Sequence, residues 1–419
     1  MNSKIKSEYI FLSVVVLFGL IMRLNWAVDM EWKDDEKIMY NLAHEIAATG
    51  KLPVTGMMSG GGIVNPGLSV GVFAFIATFT NDPVSMARAV QHINVIAILL
   101  FLLFIVIKVP AEEKRIWFWG IALACVSPLA VLFSRKIWAQ DLLPLFCFLL
   151  ILGNAYRKQK WGAFLWGLAS VIIGQVHMSG FFLAAGIAIF SLLYDLYNKE
   201  RIRWLFFIPG CLAGGIGLLP WLSYILSHSQ PSYLSIKNVF AFSFYRFWML
   251  DIHGLNIIYS LGDNFWEFIG EPFIGDKATY LIGVLHLFLA ISGLLTVIWI
   301  LKYLKRMIII IQSKKLFSWL FKNVGMARFY LSGILIGLGI LLTGSGTEIY
   351  PHYLICAFPF SYVFLAKVHF NRKKLLCVII ITQMIITFSF LLYIHQQGGA
   401  LRGDYKRTYQ NQLQYQISN

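Results

Sequence analysis

The stretch NPGLSVGVFAFIATFT (Asn65 to Thr80) decides how this chain is threaded. It is apolar, yet its breakers leave only about a dozen residues between them, whereas a membrane-crossing helix takes about 20. Read as a crossing, it would move every later loop to the opposite side. Read as an interfacial or re-entrant piece, it leaves "KVPAEEKR", "YRKQK", "NKERIR", "LKYLKRM" with "KKLF" and "FKN", and "FNRKK" on one side with the N-terminus. On that second reading 22 Lys and Arg face five acids on one side, and 13 face 15 acids on the other. Lys and Arg gather in cytoplasmic loops, so the second reading fits and the N-terminus is expected inside.

The rest of the chain supports a membrane class. Of 419 residues, 58% are hydrophobic and only 13% charged, which excludes an ordinary soluble enzyme. The net charge of +15 is explained by loop location and does not call for nucleic acid. Runs such as "FLSVVVLFGLI" and "VIAILLFLLFIVI" recur. They predict an all-α polytopic membrane protein of about 11 transmembrane helices, over 9–27, 88–107, 115–133, 138–156, 161–176, 180–197, 204–227, 279–301, 329–344, 351–368 and 375–395. The five cysteines lie in apolar runs without a CxxC partner, so neither a disulfide framework nor a zinc site is expected. Lys4 and Lys6 precede the first apolar run, but no small-x-small cleavage pattern follows, so it reads as an uncleaved span.

Two expected outer loops are long, 28–87 and 228–278. The first opens with VDMEWKDDEKIMY (Val28 to Tyr40), which holds five of the twenty carboxylates: Asp29, Glu31, Asp34, Asp35 and Glu36. A helix follows from the spacing of Ile38, Leu42 and Ile46, flanked by Met39, Ala43 and Ala47. Asp34 or Asp35 would cap its start and Gly50 would stop it. Such an amphipathic helix lies along a membrane surface.

Polar residues that meet the bilayer at one face are candidates for chemistry. Four sets are expected on the outer face: the acid cluster, "SRKIWAQD" (Ser134 to Asp141), "QVHMSG" (Gln175 to Gly180) and "GTEIYPHYL" (Gly346 to Leu354), with Arg23 ending the first span. Carboxylates beside cations suit transfer from a phosphate-activated donor. A carboxylate takes a proton from an acceptor hydroxyl, and Arg, Lys or His offsets charge on the leaving phosphate. Plainer roles stand beside these. Asp34 to Glu36 could only cap the helix, and Arg135 and Lys136 could only snorkel. His177 could be a hydrogen-bonded core residue, and His352 and Tyr353 interface packing.

At these residues the chain resembles the GT-C superfamily of membrane glycosyltransferases, in its protein O-mannosyltransferase and aminoarabinose transferase-like branch. The likeness rests on Arg23, the Asp35-Glu36 pair, Tyr40 and "NPGLSVGVF", then Ser134-Arg135 with Asp141, then "HYLICAFP" (His352 to Pro359). Tyr40 and Asp141 each fall one residue late, which puts Gln140 at the expected acid position. The resemblance implies a polyprenyl-phosphate-linked sugar as donor and inverting transfer at the outer face of the cell membrane. The acceptor would be a glycan, lipid or protein. Asp35 would be the general base with Glu36 beside it. Arg23, Arg135, Lys136, His177, His352 and Tyr353 would hold the donor phosphate or lipid, supported by Asp34, Tyr40 and Asp141. No metal is assigned: clustered carboxylates are of the type that holds Mg²⁺ or Mn²⁺, but the cations nearby could do the same work. On this view residues 1–227 form the catalytic membrane module and 228–278 a recognition loop, with "DIHG" (Asp251 to Gly254) and "DNFWEFIGEPFIGD" (Asp263 to Asp276) as its polar motifs. Residues 279–419 form a variable membrane module with an outer tail. A transporter or flippase of lipid-linked sugars is the alternative; it would carry ionisable residues near the middle of its spans, often with internal repeats. A non-catalytic scaffold would leave the one-sided polar clusters unexplained.

Overall fold

The computed structural model describes residues 3–59, 62–200, 203–228, 234–270, 279–312 and 316–418, and these are almost entirely helical. Glu271 to Asp276 of the second loop therefore lie outside the described residues. Among the described residues, six helices are long and apolar enough to cross a membrane: Ile5–Leu24, Pro83–Lys108, Ser179–Tyr197, Trp204–Ser227, Leu281–Ile309 and Lys373–Gln397. This fits an all-α membrane protein, but it corrects the expected count of about 11 transmembrane helices.

The other five expected spans are broken or short, for reasons visible in their residues. Segment 115–133 divides at Ser127, which takes an extended conformation ahead of Pro128, as residues before proline do. Segment 138–156 opens with a 3-10 turn, Ala139–Leu142, before the helix Leu143–Ala155. Segment 329–344 passes from α-helix into a π-helical stretch at Leu335–Leu342. Segment 351–368 starts as a 3-10 turn, Pro351–Ala357, and is α-helical only from Phe360. The helix Lys160–Val176 is continuous but stops at 17 residues.

The deciding stretch is shorter than the helices long enough to cross a membrane. It folds as a helix over Leu68–Ala77, about 15 Å long, half of a bilayer's hydrocarbon core. Both of its flanks stay at one end of the molecule. The Tyr40 hydroxyl donates to the Asn81 carbonyl at 3.2 Å, and Asp82 then caps the long helix that starts at Pro83 by accepting from the Ser85 N–H at 3.0 Å.

Loops sort to two ends. At one end Glu8 meets Arg115 and Lys373, Lys108 lies over Tyr156, Asn198 bonds Phe321, and Glu113 accepts from the Ala327 N–H. These are the loops rich in Lys and Arg. The opposite end carries the first loop, Ser134 to Asp141, His177 and Tyr350 to Tyr353. Gly19 lets the first helix press on the Ala111–Val126 helix, since a Cβ there would sit 2.4 Å from the Cys125 carbonyl, the close approach small residues permit in membranes.

The second loop departs from expectation. It does not stay outside the bundle: the helices Ser243–Ile252 and Ile257–Leu261 turn at Asp251 to Gly254, and Asp251 and His253 are buried. Gln383, near the middle of the Lys373–Gln397 helix, donates to the Ile252 carbonyl at 2.9 Å. Thr296, midway along the Leu281–Gln312 helix, lies 3.1 Å from His253 Nε2 and 2.8 Å from His369 Nε2. Each buried polar group of this dipping hairpin needs a partner in an apolar surround, and the spans supply them.

Candidate functional site

The helix Asp34–Thr49 starts at Lys33, which is the N-cap residue, and stops at Gly50 with φ 67°. Neither Asp34 nor Asp35 caps it. Glu36 does, accepting the Lys33 N–H at 3.0 Å from within the first turn, where a carboxylate also suits the helix dipole. Met39, Ala43 and Ile46 are buried with Glu36 while Ile38 is exposed, so the inward stripe is one residue off the one expected. Glu36 is consequently sealed inside, whereas Asp34 and Asp35 stay exposed at the start of the helix.

Beneath this turn lies a buried ion network. Lys136 Nζ is 2.8 Å from Glu31 Oε2 and 3.9 Å from Glu36 Oε1, and it rests 3.8 Å from the centroid of Trp138. Burial alone would lower the Lys136 pKa, but the Glu31, Glu36 and Asp141 carboxylates reverse that and raise it. Burial, with Glu31 adjacent, lifts Glu36 to about 7. Asp141 accepts the Trp138 N–H at 3.1 Å and so caps its own turn. Lys33 bridges Glu31 to Asp404, touching Asp404 Oδ1 at 3.1 Å.

Over the network opens a cavity of about 510 Å³. Asp35, His177, His352 and Tyr353 line it, so four of the sequence-predicted site residues converge from three distant segments. Partial burial raises the Asp35 carboxyl above its ordinary value, with Lys33 opposing. One wall is aromatic: His352 lies 5.4 Å from Trp138, 5.7 Å from Tyr350 and 4.9 Å from Tyr353, centroid to centroid. His177 is packed 5.0 Å from Tyr353 and hydrogen-bonded to Ser179 Oγ at 2.7 Å. Burial holds its pKa down at about 4, so it faces the cavity as a neutral ring.

The remaining predicted residues lie elsewhere. Arg23 and Arg135 are not in the cavity lining and are occupied as helix-end caps. Arg23 donates to the Cys125 and Ala124 carbonyls at 2.6 and 3.1 Å and lines a separate pocket of about 20 Å³ with Asn94, Asp251 and Tyr362. Arg135 donates to Met22, Asn25 and Trp26 carbonyls at 2.7, 2.6 and 3.0 Å, closing the end of the first span. Lys136, Glu36 and Asp141 sit below the lining, and Tyr40 points to Asn81. Among the described residues the lining holds no Lys or Arg, and no group of three or more His, Cys, Asp or Glu could hold a metal ion.

Five lining residues escaped the sequence reading as site groups: Asn65, Gln140, Asn256, Tyr259 and Asp404. Gln140 occupies the position where the GT-C pattern has an acid. Asp404 had a faint signal, being the only carboxylate residue after Glu348. The chain matches no family model, no curated protein and no solved structure.

Proposed function

We propose that this protein is a membrane glycosyltransferase that moves a sugar from a polyprenyl-phosphate donor to a glycan, lipid or protein acceptor, with inversion. The observation that carries the reading is the cavity itself. A single carboxylate of the first loop, Asp35, opens onto a space walled by Trp138, Tyr350, Tyr353 and two imidazoles, with amides from Asn65, Gln140 and Asn256. Aromatic faces with scattered amides and carboxylates suit a sugar ring, which is apolar on its C–H face and hydroxylated at its rim. Asp35, whose pKa partial burial raises, is a carboxyl suited to take the acceptor hydroxyl proton. Lys33, within reach of the lip, is the cation best placed to meet donor phosphate, in the role the sequence suggested for Arg23 and Arg135.

In this reading the broken and short segments also lie within the membrane, with the Lys- and Arg-rich end in the cytoplasm and the cavity on the outer face of the cell membrane. The experiment is a transfer assay. Purified protein in lipid nanodiscs is given radiolabelled polyprenyl-phosphate sugars, and label leaving the lipid for an acceptor supports the proposal.

A second reading, transport of lipid-linked sugars, is favoured by one specific feature. Asp251, His253 and His369 are buried amid the spans, where transporters keep ionisable residues. Translocation of the lipid-linked sugar across proteoliposomes without transfer would select it.

A further inference from the structure

The second carboxylate on the cavity comes from the far end of the chain. After the last span the backbone turns through a short hairpin, Gly399–Ala400 paired with Lys406–Arg407, and returns to the mouth. The hairpin is fastened to both loops that line the cavity. Towards the second loop, Arg402 N–H donates to Asn264 Oδ1 at 2.7 Å and Tyr405 N–H to the Ser260 carbonyl at 3.0 Å. Towards the first loop, Thr408 pairs with Glu31, Tyr409 N–H donates to Met30 at 3.0 Å, and Gln412 Nε2 donates to Trp32 at 2.6 Å.

Backbones meet there with no room for side chains. A Cβ on Gly403 would lie 2.2 Å from the Ser260 carbonyl, and one on Gly262 would lie 2.4 Å from the Arg402 carbonyl, at a φ of +51°. Asp404 follows directly. Its backbone is fixed on both sides while its side chain stays 67% exposed and lines the cavity. Lys33 steadies it by bonding both Oδ1, at 3.1 Å, and the main-chain carbonyl, at 2.8 Å. A carboxylate offers about four acceptor positions, and this contact leaves most of them open.

We infer that Asp404 is a substrate-binding residue that accepts hydrogen bonds from hydroxyls of a carbohydrate in the cavity. The inference rests on the carbohydrate reading given above. Two carboxylates, Asp35 and Asp404, face a lining without Lys or Arg, which disfavours an anionic group deep in the cavity and favours a donor-rich neutral one. A polyol supplies such donors in adjacent pairs. Rigid support of an exposed side chain is what a recognition residue requires.

Saturation-transfer NMR on the full chain, with a panel of methyl hexosides and methyl pentosides as probes, tests this without any need for turnover. At least one glycoside receives saturation from the native protein. Asp404→Asn weakens its binding roughly tenfold, the scale of one hydrogen bond to a charged group, with unchanged melting. Gly403→Val, which keeps Asp404 but shifts the hairpin, gives a similar loss. Absence of binding by every glycoside, or undiminished binding in Asp404→Asn, overturns the inference. The two readings fail separately. Glycoside binding through Asp404 with no consumption of any polyprenyl-phosphate sugar removes the transferase alone. Turnover whose KM ignores Asp404→Asn removes the role of Asp404 alone.

Discussion

Lys136 and Glu31 form an ion pair of 2.8 Å in which each side chain is only 2% exposed. It ties the loop after the first broken segment, 115–133, to the first long loop, 105 residues earlier in the chain. Everything at the cavity floor is referred to this contact, because Trp138 stacks on the same ammonium.

Removing one partner of such a pair strands a buried charge. Lys136→Met leaves Glu31 with Lys33 alone and Glu36 without a paired cation, and should cost about 3 kcal/mol, the lower end for a broken buried pair. The double substitution Lys136→Met with Glu31→Gln should recover a large part of that loss. Thermal unfolding of the purified variants checks both, and additive losses would show that the pair is not coupled.

Arg135 is read here as a cap on the first span. Arg135→Lys keeps the charge but cannot reach three carbonyls with one ammonium, so it should lose about 2 kcal/mol of stability. Affinity of the folded variant for polyprenyl phosphate should match the native protein. A weakened affinity at equal stability would return Arg135 to the donor site.

Glu36 gives a pH signature. Its folded carboxyl titrates at about 7, above the ordinary glutamate value of about 4.3. The folded state then holds a proton that the unfolded chain has released, so stability falls as pH rises between those values and levels off above them. Glu36→Gln, neutral throughout and still able to accept the Lys33 N–H, should flatten melting temperature across pH 5 to 8. A native protein with no decline over that range contradicts the assignment.

Topology is testable by labelling. A cysteine at Glu112 should be closed to membrane-impermeant maleimide on intact cells, and one at Lys51 open, each read against the background of the five native cysteines. The reverse pattern would invert the orientation.

How far the sequence led can be judged residue by residue. Charge sorted the loops to two ends, and the shortness of the helix within Asn65 to Thr80 was legible, because loop charge and segment length are local quantities. Asp35, His177, His352 and Tyr353 were legible as polar residues at span ends on one face. Unbroken span count was not, since hydropathy averages over Pro128, Pro351 and Pro359 without registering a change in backbone path. The carbonyl bonding of Arg23 and Arg135, which keeps both outside the cavity lining, was not legible, because a sequence shows a cation but not the helix carbonyls it satisfies. The dip of Asp251 to Gly254 and the return of Asp404 were hidden for a related reason. Both depend on backbone contacts between segments far apart in the chain, which no window of residues contains.

The central claim is that Asp35 takes the proton in sugar transfer. The measurement is single-turnover transfer from radiolabelled polyprenyl-phosphate sugars in nanodiscs, native protein against Asp35→Asn. Asp35 is exposed at the lip and, among the described residues, shows no hydrogen bond that the amide would break, so the variant should melt with the native protein. Its transfer should fall at least 100-fold, in line with loss of a general base. Transfer at the native rate by a folded Asp35→Asn protein would contradict the account.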